Sequence, residues 1–226
     1  MTFFKALVDE TEPQRQEMLS AQIIERCFKG EIDLDDYVAF LVQAYHHVKH
    51  TVPLLMSVGA RLPAEKEWLR TAVAQYIEEE LGHQEWILND IAACGYDKEA
   101  VRLSAPSPAT ELMVAYAYDM VQRVNPLGFF GMVHVLEGTS INLADKVAGT
   151  VKTTLGLSQN AFTYLISHGS LDQDHVVFFE KLMNRITDKD EQAVIIHACK
   201  IFYQLYGGIF RTLSSEHNIP LQLKRA

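Results

Sequence analysis

Residues 168–186 read HGSLDQDHVVFFEKLMNRI. His168, Asp172 and His175 follow one another at intervals of four and three, so on a helix their side chains lie within about 60° of one face. The same stripe continues through Phe179, Leu182, Met183 and Ile186, while Asp174 and Lys181 fall away from it. Such a period is that of a core-facing helix, and its first turns carry three ligand-type side chains in place of apolar ones. Burying an Asp beside two imidazoles is costly unless a cation shares the site. The segment therefore predicts a helical core with a metal inside it.

The helical period recurs along nearly the whole chain, and no stretch alternates as a strand with hairpin signals, so the class is all-α. Asp33 can cap a helix that has Asp36 in its first turn and runs through Tyr37, Phe40, Leu41, Ala44, Val48, Val52 and Leu55, with Pro53 bending its end. A second helix starts near Pro63; its stripe is Leu69, Ala72, Val73, Tyr76, Ile77, then Glu80 and His83, then Ile87, and it stops before Cys94-Gly95. The stretch CGYDKEAVRLSAPSPATE (94–111) reads as the longest loop, closing with Ser107 as a cap and Pro108 at the first helical position. Helices are expected over 110–123, over 127–148 after a break at Asn125-Pro126, and over 158–167, 171–186 and 189–213. Gly169-Ser170 marks a boundary, Gly207-Gly208 a kink, and the tail after Ser214 reads as irregular. About eight helices in a single domain over 1–226 is the resulting expectation.

Composition narrows the function. The 226 residues are 48% hydrophobic, enough for one large core. Twenty basic against twenty-nine acidic residues give a net charge of -9 with no Lys/Arg run, which speaks against nucleic acid or an anionic membrane as partner and for small-molecule chemistry. The opening MTFFKALVDETEPQRQ lacks a signal-peptide layout, and the apolar AVIIHACKIFYQLYGGIF is interrupted by His197, Lys200 and Gln204, so a cytoplasmic protein is expected. Cys27, Cys94 and Cys199 are odd in number and far apart, which suits reduced thiols rather than disulfides or a zinc ribbon.

Two further acids stand where apolar residues belong. Glu80 and His83 form a Glu-x-x-His pair, neighbours on one helical face; Glu78 lies opposite the apolar stripe, Glu79 at its edge and Glu80 near its centre. Glu137 sits in GFFGMVHVLEGTS, where His134 is the other polar side chain and an alternative ligand. Glu80, His83, Glu137, His168, Asp172 and His175 together make six protein ligands, and three carboxylates offset most of the charge of two divalent ions. Mixed imidazole and carboxylate ligation suits iron, with manganese also compatible. His46, His47 and His50 lack a carboxylate on their face and read as a polar cavity wall or surface group. Tyr45, His47, Tyr76, Phe130 and Val133, with Phe129 and Met132, are candidates for the substrate pocket.

The order Glu80/His83, Glu137, His168-x3-Asp172-x2-His175 on an all-helical chain resembles the heme-oxygenase-like diiron oxidases and oxygenases, over most of the chain. These proteins share their fold with TenA-type thiaminases and the pyrroloquinoline-quinone synthesis oxidase. The resemblance implies two irons that activate dioxygen toward a small organic substrate, Glu80 and Glu137 reaching toward or bridging them, and a homodimer is plausible for such a chain. Some members place the first Glu seven residues before the His, where this chain has Tyr76; Glu79 is a possible substitute for Glu80.

What is missing weighs on the alternatives. TenA-type hydrolysis needs a nucleophilic Cys on the middle helix, and no Cys lies between Cys94 and Cys199. Heme oxygenase needs an axial His near the amino terminus, yet the first His is His46. A non-catalytic binding protein and a metal-independent oxidase of the quinone-synthesis kind remain as readings from other classes.

Overall fold

Two carboxylates set the start of one core helix. Asp33 accepts the Asp36 N–H at 2.8 Å while Asp36 accepts the Asp33 N–H at 3.2 Å, a reciprocal capping box that starts a helix where the sequence places one. The computed structural model describes residues 1–213, with the side chains of residues 140–147 and 168–175 outside the described residues.

Among the described residues there are eleven α-helices and no strand: α1 (Phe3–Leu19), α2 (Gln22–Lys29), α3 (Leu34–Val48), α4 (Thr51–Arg61), α5 (Glu67–Glu80), α6 (His83–Ala93), α7 (Lys98–Leu103), α8 (Pro108–Asp119), α9 (Phe129–Leu155), α10 (Thr163–Asn184) and α11 (Lys189–Thr212). The long helix α9 packs against both α10 and α11; α1 and α8 lean on α11, α3 on α6, and α4 on α5. The all-α class stands, but eleven helices replace the expected eight or so.

The surplus has local causes. The helix expected to run from Asp33 past Leu55 divides at Lys49-His50 into α3 and α4, which moves Pro53 into the first turn of α4, where its missing N–H leaves no hydrogen bond broken. The helix expected through Glu80 and His83 divides at Leu81-Gly82, with Gly82 at φ +90°. The supposed loop 94–111 holds α7, started by the Asp97 carboxylate, which accepts the N–H groups of Glu99 and Ala100 at 2.9 and 3.2 Å. Ser107 caps α8 with Pro108 as its first residue, as the sequence suggests.

In the other direction, α10 runs unbroken through Gly169-Ser170 and begins at Thr163 instead of Ser158. α11 likewise continues through Gly207-Gly208. It is the one described helix long and apolar enough to cross a membrane, and half of its most apolar stretch is buried in the core. α9 reaches α11 at Gly131: a Cβ there would lie 2.6 Å from the Cys199 nitrogen and 3.0 Å from the Ile195 oxygen, so two backbones touch where a side chain would hold them apart.

Candidate functional site

A cavity of about 160 Å³ opens among α2, α3, α4, α5, α9, the start of α10 and the end of α11. Ile24, Phe40, Leu55, Phe129, Met132 and Leu165 give it an apolar wall. Into that wall come His47, Tyr76, Glu80 and Glu137, along with Asp36, Tyr164 and Tyr206; no Lys or Arg is among its described lining residues. Asp36 is already engaged, accepting the Arg26 Nη2–H at 2.7 Å. Glu80 and Glu137, on different helices, thus face one apolar chamber.

Glu80 is the last residue of α5 and His83 the first of α6, so the pair is not two positions on one helical face as the sequence reading assumes. They meet all the same. His83 Nδ1 lies 3.0 Å from Glu80 Oε2, and the imidazole is 2% exposed with its ring 4.1 Å from that of Trp86. In the tautomer that donates Nδ1–H to this carboxylate, the lone pair sits on Nε2. Glu79 does not line the cavity: its Oε1 accepts the Gln75 Nε2–H at 2.9 Å, while its Oε2 is buried.

α9 presents two faces. Phe129, Met132, Val133, Leu136 and Glu137 turn to the cavity. Phe130 and His134, one turn apart, turn to Phe179 of α10, with ring centroids 6.5 and 5.9 Å away. His134 is also edge-on to Phe4 and Tyr203, and burial pushes its pKa down to about 4, aided by the Arg15 guanidinium. This placement takes His134 away from Glu137 as an alternative ligand, and Phe130 out of the pocket wall.

Of the three clustered histidines only His47, on α3, lines the cavity, with its ring edge-on to Tyr206 at 5.8 Å. Tyr45 does not line it: two residues apart on a helix is about 200° of rotation, so Tyr45 and His47 cannot share a face. Tyr45 instead lies against His46, with the Lys49 ammonium 5.1 Å over its ring. His46 is itself enclosed, with Nε2 3.0 Å from Ser104 Oγ and Nδ1 3.2 Å from the Lys49 Nζ. Since Ser104 gives its own proton to the Val101 carbonyl, His46 donates from Nε2 and accepts at Nδ1. Burial and the Lys49 charge hold its pKa down to about 4. His50 pairs with the Tyr118 hydroxyl at 3.1 Å. These two histidines are structural.

The side chains of His168, Asp172 and His175 lie outside the described residues. Their backbone belongs to the unbroken α10, and by helical phase the three positions fall within about 80° of Tyr164, a cavity residue. Among the described residues no three His, Cys, Asp or Glu side chains gather as a metal cluster. Cys27 is the cavity's described thiol, and burial pushes its pKa up to about 11, which keeps it protonated and a poor nucleophile.

Sequence reasoning missed Tyr206, Tyr164 and Asp90. Tyr206 lies on the core stripe of α11 with Phe202 and Ile209, and that period was its signal. Asp90, 0% exposed on α6, accepts the backbone N–H groups of Thr163 and Tyr164 at 3.0 and 2.8 Å. No local pattern announces a cap that comes from seventy-odd residues away.

Residues 38–207 match the family described as iron-containing redox enzymes. The chain belongs to that family. Solved structures agree on the fold. A domain of unknown function with a heme oxygenase-like fold from Shewanella denitrificans superposes with a TM-score of 0.83 at 23% identity, over 93% of this chain and 91% of its own. A TenA homologue from Pseudomonas syringae gives 0.78 at 12% identity over 93% and 92%. A heme oxygenase from the cyanobacterium Synechocystis, solved with heme, gives 0.75 at 10% identity over 95% and 93%. At such identities the likeness concerns fold alone. No curated protein sequence matches the chain.

Proposed function

We propose that this redox enzyme uses two non-heme iron ions, held by Glu80, His83, Glu137, His168, Asp172 and His175, to activate dioxygen and oxidise or cleave a small, partly apolar organic substrate. The observation that carries the reading is the convergence of Glu80 and Glu137 on one apolar cavity whose described lining includes no Lys or Arg. The donor set fits the metal: carboxylates and imidazole suit iron, and manganese as well. When bound, the iron pair supplies the electrons that dioxygen takes up.

The chain's own residues prepare the chamber. The Glu80 carboxylate orients the His83 ring through Nδ1, the arrangement by which an acid fixes which imidazole nitrogen is left for a metal. Phe129, Met132 and Leu165 keep the wall dry and favour an apolar substrate body. Tyr76 and Tyr206 place hydroxyl-bearing rings at the same wall, and burial holds Tyr206 well above the usual phenol range, so it stays protonated as a donor.

The test is reconstitution with ferrous iron without oxygen, metal counting by elemental mass spectrometry, then exposure to oxygen while visible absorption is followed. Near two irons per chain with a transient band supports the reading; protein that takes up no iron refutes it. A Glu137→Ala variant that keeps stoichiometric iron and full oxygen consumption would overturn the ligand assignment.

A further inference from the structure

α6 does two things with one face. His83 at its start meets Glu80 of α5, and Asp90, seven residues and two turns later, meets the start of α10. The residue before α10, Phe162, offers no side-chain cap, so the first amides of α10 rely on the Asp90 carboxylate. A second tether acts one residue earlier: the Tyr37 hydroxyl of α3 donates to the Ala161 carbonyl at 2.7 Å, and its ring stacks on Phe162 at 5.2 Å. Asp90 and Tyr37 are 0% and 3% exposed, so neither contact is diluted by water.

A helix held at its first turn has its rotation and axial position set from there. Tyr164, whose N–H is clasped, lines the cavity, and positions 168, 172 and 175 follow it along one face. We infer that Asp90 is a positioning residue for the metal centre: by clasping the Thr163 and Tyr164 amides, it sets α10 in the register that presents its ligand positions to Glu80, His83 and Glu137. The inference rests on the reading above. It adds that the centre is assembled by a carboxylate that touches neither metal nor substrate, and that α6 is the strut linking both halves.

The experiment compares ferrous iron affinity, measured anaerobically by competition with a colorimetric chelator, in wild type, Asp90→Ala, Asp90→Asn and Met113→Ala. Met113 is fully buried on α8, a helix that carries none of the site residues, and serves as a control matched for loss of thermal stability. Asp90→Ala is expected to weaken iron binding tenfold or more while Met113→Ala does not. Asp90→Asn keeps the shape but turns an NH2 toward one of the two amides, so it should weaken binding by a smaller factor; it also serves if Asp90→Ala fails to fold. Wild-type affinity in both Asp90 variants, or equal weakening in Met113→Ala, overturns the inference alone. A wild type that binds no iron overturns the proposed function with it.

Discussion

Glu80 and His83 meet across a helix break, Oε2 of one 3.0 Å from Nδ1 of the other, with Gly82 between them at φ +90°. The turn that lets α5 end and α6 begin depends on that left-handed residue, because an L side chain there crowds its own backbone at a cost of about 1–2 kcal/mol. Among the described residues nothing lies within 4 Å of a Cβ added at Gly82, so the penalty is one of backbone conformation. Gly82→Ala should therefore lower Tm by about 2–8 °C for a chain of this size. Gly82→Asn should recover part of the loss, since Asn tolerates the left-handed region. Calorimetry showing Gly82→Ala as stable as wild type would mean that the turn relaxes freely.

His134 makes the fold acid-sensitive. Its folded pKa of about 4 lies below the ordinary 6.5, so between those values the unfolded chain binds the extra proton. The stabilisation is complete above pH 6.5 and is lost as pH falls toward 4. In His134→Phe, which keeps an aromatic ring among Phe4, Phe179 and Tyr203, the loss of unfolding free energy between pH 7 and 4 should shrink by about 2–3 kcal/mol. Denaturant titrations at the two pH values decide it; an unchanged slope would assign acid sensitivity to other groups, His46 first.

Asp90 acts with the opposite sign. Burial raises its pKa from 3.8 to about 6 against the pull of its two amide hydrogen bonds, so between those values the folded chain holds more protons than the unfolded one. Its contribution is greatest below pH 4 and declines as pH rises to about 6. Replacing it with Asn removes the titration, and the stability gap between wild type and Asp90→Asn should be about 2 kcal/mol wider at pH 4.5 than at pH 7. A gap independent of pH would show that Asp90 stays ionised throughout.

What the sequence discloses divides along the line between local and tertiary causes. The Asp33 capping box, Ser107-Pro108 and Asn125-Pro126 act within a turn of where they stand, and the structure places them as read. The break at Gly82 rests on a left-handed glycine that the helical period hides, whereas α10, packed along α9, continues through Gly169-Ser170 against the local signal. Helical phase separates Glu80 from Glu78 and Glu79 correctly by face. It fails for Tyr45, grouped with His47 despite a rotation of about 200°, and it cannot foresee Asp90, whose partners are amides of another helix.

The crossing of α9 and α11 should tolerate no side chain at Gly131. A Cβ 2.6 Å from the Cys199 nitrogen meets backbone, which cannot step aside as a flexible side chain would. Gly131→Ala must push the helices apart next to Met132 and Val133, and overpacking of this kind costs about 1–3 kcal/mol. A Tm loss of at least about 2 °C is expected, whereas Gly138→Ala on the same helix, with no described residue within 4 Å of its Cβ, should be neutral or stabilising. Equal effects of the two substitutions would remove the close crossing as the cause.

Neighbouring glutamates offer the sharpest test of the ligand set, because they differ in direction and hardly in chemistry. Glu80 lines the cavity and accepts from His83; Glu79 does not line it, and its Oε1 accepts from Gln75 while its Oε2 is buried. Glu80→Gln keeps the size of the side chain but removes the charge that a metal needs, and leaves His83 Nδ1–H facing an amide in place of a carboxylate. Iron affinity should fall tenfold or more, in the range seen when acids beside a metal-bound imidazole are changed. Glu79→Gln should leave both the iron count and the affinity as they are. If the two substitutions exchange these outcomes, Glu79 is the ligand, through its buried Oε2. If neither matters, the Glu80–His83 contact is a structural clasp between α5 and α6.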